Sequence, residues 1–249
     1  MPFTISHIVA VVPLYKNFKK YLSLSGLIMG SMVPDFEFFL RVTLYGIWSH
    51  HLKGIFYFDL PVALILIFVF HIWVRDTLLN YLPKQISGRF QQYKGFDWMS
   101  YFRKNYLTVV VSVILGILTH FCWDNFTHEP NYVSPFYFQI LESNLKLGAF
   151  TIKLYSLLQI LSSFFGLAWF LIFIFSGTNC KAIIADIKVQ KKFWLRLLML
   201  TLLFIGVRYS VGLPDEKPLG QFVVVTIGSF IYALVVLSII KIKSNENNY

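Results

Sequence analysis

The chain of 249 residues is 57% hydrophobic and 18% aromatic, and only 14% of it is charged. A soluble domain of this size carries about a quarter charged residues, so the composition excludes an ordinary soluble fold and points to a membrane protein. The net charge of +10 does not signal nucleic acid, because the basic residues fall into alternate loops rather than one patch.

In chain order, "FTISHIVAVVPLY" is apolar but short. It has no basic n-region, and no small-residue cleavage site follows it, which argues against a removable signal peptide. "YLSLSGLIMGSMVPDFEFFL" is long enough to cross a bilayer but rich in Gly and Ser. The two segments are expected to form a helical hairpin turning at "KNFKK". Five runs nearly free of charge follow: Phe56–Val74, Tyr106–Cys122, Leu154–Phe175, Phe193–Leu213 and Leu219–Ile240. Each reaches the about 17–25 residues that a helix needs to span the hydrocarbon core, and a lone strand could not satisfy its backbone there. The expected fold is all-α, a polytopic membrane bundle of five to seven helices with the N-terminal hairpin packed on it. Residues 1–249 are read as a single integral membrane domain.

The loops then set the orientation. Lys16, Lys19 and Lys20 lie at the hairpin turn, and Lys84, Arg89, Lys94, Arg103 and Lys104 follow the first long span. Lys181, Lys188, Lys191 and Lys192 follow the third, and Lys241 and Lys243 the fifth. The loops between these long spans carry few basic residues: Lys146 and Lys153 in one and Lys217 in the other. By the positive-inside rule the basic loops and the C-terminus are cytoplasmic. Residues 34–55, 123–153 and 213–218 then face outward. Cys122 falls outside and Cys180 inside, so no disulfide is expected, and no CxxC zinc pattern is present.

Polar residues that a span should avoid collect on that outer side. His120 and Asp124 end the second long span four residues apart, on one helical face, and His128 follows at the same interval. Asp35, Glu37, His50 and His51 lie in the preceding outer segment, and His7 near the start of the hairpin. Only His71 of the six histidines lies near an inner end. Imidazole with carboxylate is the usual donor set for zinc, manganese or iron. Each residue also has a plainer reading: His120 and Asp124 as a helix-end hydrogen bond, Asp35 as an N-cap in "PDFEFF", His50 and His51 as interfacial histidines, His7 as a satisfied apolar-face histidine, and His128 as a loop residue.

"MPFTISHIVAVVPL", "GSMVPDFEFF", "HHLKGIFYFDLPV" and "GILTHFCWDNFTHE" resemble the bacterial membrane family called domain of unknown function 4184, over nearly the whole chain and in order. That family is distantly similar to YdjM-type membrane-bound metal-dependent hydrolases and to zinc-dependent phospholipase C. These share an early His, a Pro-Asp, a later His and an His-x3-Asp. The resemblance implies His7, Asp35, His50, His120 and Asp124 as metal ligands, with Asp124 bridging. It prefers His50 to His51 by its offset from Gly54. The soluble phospholipases add a later His and an His-x3-Glu. No histidine follows His128 here, so a trinuclear site is not expected.

The expected function is therefore a membrane-embedded metal-dependent hydrolase acting at the outer face on a phosphoester or other ester of a lipid or envelope substrate. The cofactor is a divalent metal, zinc by preference, as one or two ions. Glu37 or His128 is the expected general base. Asp59 is a candidate to orient a ligand imidazole, and Arg208 a candidate to hold an anionic headgroup, against the plainer roles of helix-end capping and snorkelling. Membrane lipid is the expected partner, and nucleic acid is not. Two other classes compete: a transporter or channel, disfavoured by the lack of an internal repeat, and a non-enzymatic protein with a structural metal site. Metal content, lipid turnover and flux distinguish them. Accessibility labelling in intact cells is expected to reach Asn131 from outside and Gln85 only from inside; cytoplasmic labelling of both would overturn the orientation.

Overall fold

The computed structural model describes residues 4–129, 138–148, 150–176, 184–214 and 217–246; Asn131 and Cys180 lie outside them. The fold is all-α apart from one small hairpin. Helices α1 (Ile8–Phe18) and α2 (Leu24–Arg41) are followed by a continuous helix over Ile55–Tyr81. This long helix contains α3 (Leu60–Val69) and α4 (Arg75–Tyr81), each preceded by a π-helical turn. Next come α5 (Lys84–Phe90), α6 (Trp98–Thr127), strands β1 (Asn144–Leu147) and β2 (Phe150–Lys153), α7 (Leu154–Ser176), α8 (Ile187–Val211) and α9 (Pro218–Glu246).

Among the described residues, five helices are long and apolar enough to cross a membrane: Ile55–Tyr81, Trp98–Thr127, Leu154–Ser176, Ile187–Val211 and Pro218–Ile240. Each extends past the charge-free run that marks it in the sequence. Helix α8, for example, begins six residues before Phe193, where Asp186 caps it by accepting from the Lys188 N–H at 2.8 Å. It stops at Gly212, whose φ of +92° a side-chain-bearing residue rarely adopts. Two local features depart from expectation. Asp35 is no N-cap: it lies inside α2, with Pro34 also within the helix. The segment between α6 and α7 also holds an antiparallel pair, β1 with β2, turning at Gly148 (φ +62°).

The chain divides into two compact units. The first comprises Met1–Asp35, Trp48–Ile67 and Tyr101–Phe175. Here the N-terminal hairpin turns after Phe18, where the Tyr21 N–H reaches the Phe18 carbonyl at 2.9 Å. Its apolar face buries Ile8, Val11, Val12, Leu22 and Leu27 against Leu115 of α6 and Trp169 and Phe170 of α7. Helices α2 and α6 meet backbone to backbone. A Cβ on Gly30 would strike the Val113 carbonyl, and one on Gly116 the Leu27 carbonyl. Small residues permit this approach in a membrane, where van der Waals packing rather than hydrophobic burial holds helices together. The Ser23 N–H donating to Ser112 Oγ at 2.8 Å pins the same crossing.

The second unit comprises Phe36–Ile47, Phe68–Ser100 and Ser176–Tyr249. Its core is Val74, Phe193, Leu197, Ala233 and Leu234, with the Tyr81 ring stacked on Phe193 at 4.2 Å between centroids. The segment after α2 is tied down by side chains of α8 and α9. Gln221 Oε1 accepts from Thr43 Oγ1 at 3.2 Å and from the Leu44 N–H at 2.8 Å, and Tyr232 donates to the Leu40 carbonyl at 2.7 Å. Replacing Gly30 with Ala is expected to destabilise the protein by about 1–3 kcal/mol through overpacking, read as a lower midpoint of thermal unfolding in detergent. Gly206→Ala, where the added methyl meets nothing within 4 Å, is the matched control expected to leave that midpoint unlowered.

Candidate metal centre

Helix α6 supplies the centre's rigid wall. Its i, i+4 spacing puts His120 and Asp124 on one face, and the His120 Nε2 lies 3.1 Å from Asp124 Oδ2. His128 follows just past the helix end, held by its N–H on the Asp124 carbonyl at 2.9 Å, with Nδ1 3.3 Å from Asp124 Oδ1. Helix α2 brings Asp35 to the same place through the glycine-mediated crossing with α6. His7 arrives from the short 3-10 turn Thr4–His7 that precedes α1. His50 comes from the turn before the long Ile55–Tyr81 helix. Its φ of +61° places a non-glycine residue in the left-handed region, a strained state of the kind that collects at functional sites. Gly54 lets that turn close, since a Cβ there would strike the Trp48 carbonyl.

The donors converge although their positions span much of the chain. His7 Nε2 is 3.6 Å from Asp124 Oδ1, and His50 Nε2 is 3.7 Å from both Asp124 Oδ2 and Asp35 Oδ1. His120 Nε2 is 4.0 Å from Asp35 Oδ1, and the His7 and His120 rings stack at 4.0 Å. Two overlapping sets, His7–Asp35–His120 and His50–His120–Asp124, each have ligand atoms all within 4.8 Å of one another. Two ligands about 2.0–2.2 Å from one ion are separated by similar distances, so this buried cluster can hold a metal ion.

The hydrogen bonding around these rings fits that role. The His120 Nδ1 lies 2.8 Å from the Ser31 carbonyl. A carbonyl only accepts, so Nδ1 carries the hydrogen and Nε2 presents its lone pair to the cluster, as a metal-ligating histidine requires. His50 Nδ1 is 2.9 Å from Ser49 Oγ, again leaving Nε2 inward. Thr4 Oγ1 donates to Asp35 Oδ2 at 2.6 Å, which leaves Oδ1 toward the histidines. Yet both nitrogens of His7, Nε2 of His120 and both oxygens of Asp124 are buried without a hydrogen bond of good geometry. Each such orphan costs about 1–3 kcal/mol, more when charged. A cation shared among them would remove those costs together. Burial pushes the His7 imidazole down to about 3, so it is neutral. Neutral imidazole and ionised carboxylate are the forms that bind metal.

The remaining candidates have these surroundings. Glu37 lies in the second unit, where its Oε1 accepts from Arg41 Nε at 2.9 Å and from the Ile47 N–H at 2.8 Å. Arg208, also in that unit, donates from Nε to the Val42 carbonyl at 2.8 Å and from Nη1 to the Gly212 carbonyl at 2.5 Å. Asp59 is fully buried at the end of the first π-helical turn of the long helix. His51 is exposed, and His71 stacks on Trp98 at 4.3 Å beside Arg75 in the second unit. Sequence reasoning did not find Thr4, Ser31, Ser49 or Gln159, whose Nε2 lies 3.4 Å from His128 Nε2. Only Ser49 adjoins its ring in sequence, and no spacing rule marks a backbone carbonyl such as that of Ser31.

The chain belongs to the family described as domain of unknown function DUF4184, whose model matches residues 1–239. Nothing among curated proteins or solved structures matches it. Replacing Thr4 with Val is expected to keep the fold and weaken metal affinity by roughly 10–100-fold, the usual cost of losing a partner that orients a ligand. Competition titration against a zinc indicator in detergent reads it directly, and unchanged affinity would remove Asp35 from the ligand set.

Proposed function

We propose that this protein is a membrane-embedded, metal-dependent hydrolase of a phosphoester or other ester carried by a lipid or envelope substrate. We place the site on the extracytoplasmic side of a bacterial inner membrane, with the C-terminus cytoplasmic. The observation that carries the reading is the meeting of His7, Asp35, His50, His120 and Asp124, with both nitrogens of His7, Nε2 of His120 and both oxygens of Asp124 buried and unsatisfied. The order of an early His, a Pro-Asp, a later His and an His-x3-Asp, as in YdjM-type hydrolases and zinc-dependent phospholipase C, supports it. The donor set holds imidazole and carboxylate without thiolate, which favours zinc in an open, catalytic setting. A divalent ion there supplies Lewis acidity and acidifies water. The two donor sets share His120, and if two ions were bound Asp124, the bridging carboxylate that the resemblance implies, would be the residue to serve both.

The chain's own residues divide the remaining work. Asp35 and Asp124 supply negative charge, and the three imidazoles supply neutral donors. His128 is the more open neighbour, its side chain 12% exposed against 1% for Asp124. Asp124 orients its Nδ1, and we assign it the general base that takes a proton from the attacking water. Glu37 is assigned a structural role, because its carboxylate already serves Arg41 and Ile47. Arg208, which donates to two backbone carbonyls, is assigned to holding those chain ends rather than to headgroup binding.

A specific observation favours a second reading. The five ligands are each 5% exposed or less, as expected of a closed metal site that ties α1 and α2 to α6. The two readings part at Asp124→Asn. Under the hydrolase reading the variant folds and inserts, binds less metal, and loses release of product from a phospholipid panel, because spanning helices rather than this charge carry the fold. Under the structural reading metal-loaded wild type turns over no ester in that panel, and the variant loses thermal stability instead.

A further inference from the structure

A groove of about 540 Å³ opens in the first unit, lined by one face of α6 from Thr119 to Thr127, one face of α7 from Leu158 to Phe165, and Ala10 of α1. Its size falls within the about 300–1,000 Å³ of small-ligand pockets. On α6 the lining positions are 119, 122, 123, 126 and 127, and on α7 they are 158, 161, 162 and 165. Each set is a single helical stripe. Three of these residues carry hydroxyls, and all three are turned onto their own helix. Thr119 donates to the Gly116 carbonyl at 2.7 Å, Thr127 to the Trp123 carbonyl at 3.1 Å, and Ser162 to the Gln159 carbonyl at 3.1 Å. The groove therefore presents methyl, methylene and aromatic surface, and a polar headgroup would find no donor among those hydroxyls.

The same wall borders the metal centre. Trp123 lines the groove and meets the His7 ring edge-on at 6.1 Å between centroids. Its indole nitrogen is buried without a hydrogen-bond partner, an N–H that an ester or phosphate oxygen would satisfy. Thr127, also in the lining, has its Oγ1 3.3 Å from His128 Nδ1. Gln159, one position beyond the lining residue Leu158, reaches His128 from the other wall. The groove thus runs along two membrane-spanning helices, where hydrocarbon is the surrounding solvent, and abuts the residues around Asp124.

The geometry points to this groove as the seat of one hydrocarbon chain of a membrane phospholipid, laid between α6 and α7 with its ester end at Trp123 and His128. That assignment rests on the hydrolase reading for the identity of the bound lipid as substrate, and on the groove alone for the bound chain. It predicts selection by chain rather than by headgroup charge.

The test uses phosphatidylglycerol bearing a diazirine midway along one acyl chain, in nanodiscs of phosphatidylethanolamine and phosphatidylglycerol that contain the full chain. After photolysis, mass spectrometry maps the label. The expected result is label concentrated at positions 119–127 and 158–165, competed by unlabelled phosphatidylglycerol, and lost in Leu161→Trp and in Cys122→Trp, each of which fills the groove. Competition on wild type needs no variant, so misfolding of either one leaves the proposal open to refutation. Label spread evenly around α7, with Phe164 marked as strongly as Leu161 and no competition, would mean ordinary bilayer contact and overturn it. Crosslinks between two copies of the chain in place of lipid label would overturn it too. Asp124→Asn is expected to keep the groove label. Competed groove label without turnover of any ester by metal-loaded wild type would sustain the bound chain and remove the hydrolase reading. Turnover without groove label would do the reverse.

Discussion

Asp124 is a carboxylate 1% exposed to solvent and faced by four imidazoles, those of His7, His50, His120 and His128, at 3.1–3.7 Å. Removing a carboxylate from water without pairing it costs several kcal/mol at least, and inside a membrane protein no solvent is at hand to lower that cost. The first unit is arranged around this constraint. The hairpin of α1 and α2, the turn carrying His50, and the C-terminal end of α6 have no common local sequence signal. They are held together where one buried anion and its neighbours must be satisfied at once. A divalent cation among the inward nitrogens and oxygens satisfies them with one charge centre.

Close helix packing makes that meeting geometrically available. With Gly30 and Gly116 at the α2–α6 crossing, the backbones approach until a single added Cβ would strike a carbonyl. Asp35 therefore comes within 4.0 Å of His120, and the Ser31 carbonyl comes within hydrogen-bond reach of the same ring. The crossing thus serves two ends: it supplies packing in a medium without a hydrophobic drive between helices, and it fixes which nitrogen of His120 carries its hydrogen. A ligand placed this way is set by rigid elements rather than by loop order, which suits either catalysis or a structural tie.

The apolar groove beside the cluster belongs to the same logic. Helix α6 gives one stripe to metal donors and an adjoining stripe to the groove, offset by a single residue at Trp123 and Asp124. A helix can do this because neighbours in sequence lie about 100° apart around its axis, as the 3.6-residue turn dictates. A buried polar cluster and an apolar groove can then share one wall.

The sequence by itself determined the five long apolar helices and the hairpin at the N-terminus, and it marked the i, i+4 pair of His120 and Asp124. Those features are local: hydropathy over a span, a turn of lysines, and an i, i+4 pair are each legible within a short window. It left an N-cap reading of Asp35 open, because Pro-Asp is a common opening, and only the packing of α2 carries the helix through it. It did not reveal the β-hairpin, whose four-residue strands leave almost no periodicity to detect. It assigned Asp35 to the metal and Glu37 to base catalysis without any contact to tell them apart. They are two residues apart and chemically alike, yet one carboxylate is committed to Arg41 and Ile47 while the other accepts from Thr4 and lies beside His50 and His120. Only the tertiary structure decided that, along with the Ser31 carbonyl behind His120, Thr4 behind Asp35 and the strained backbone of His50. These depend on contacts between residues up to 89 positions apart, and which groups become neighbours at that separation is fixed by how helices cross, not by what any one of them contains.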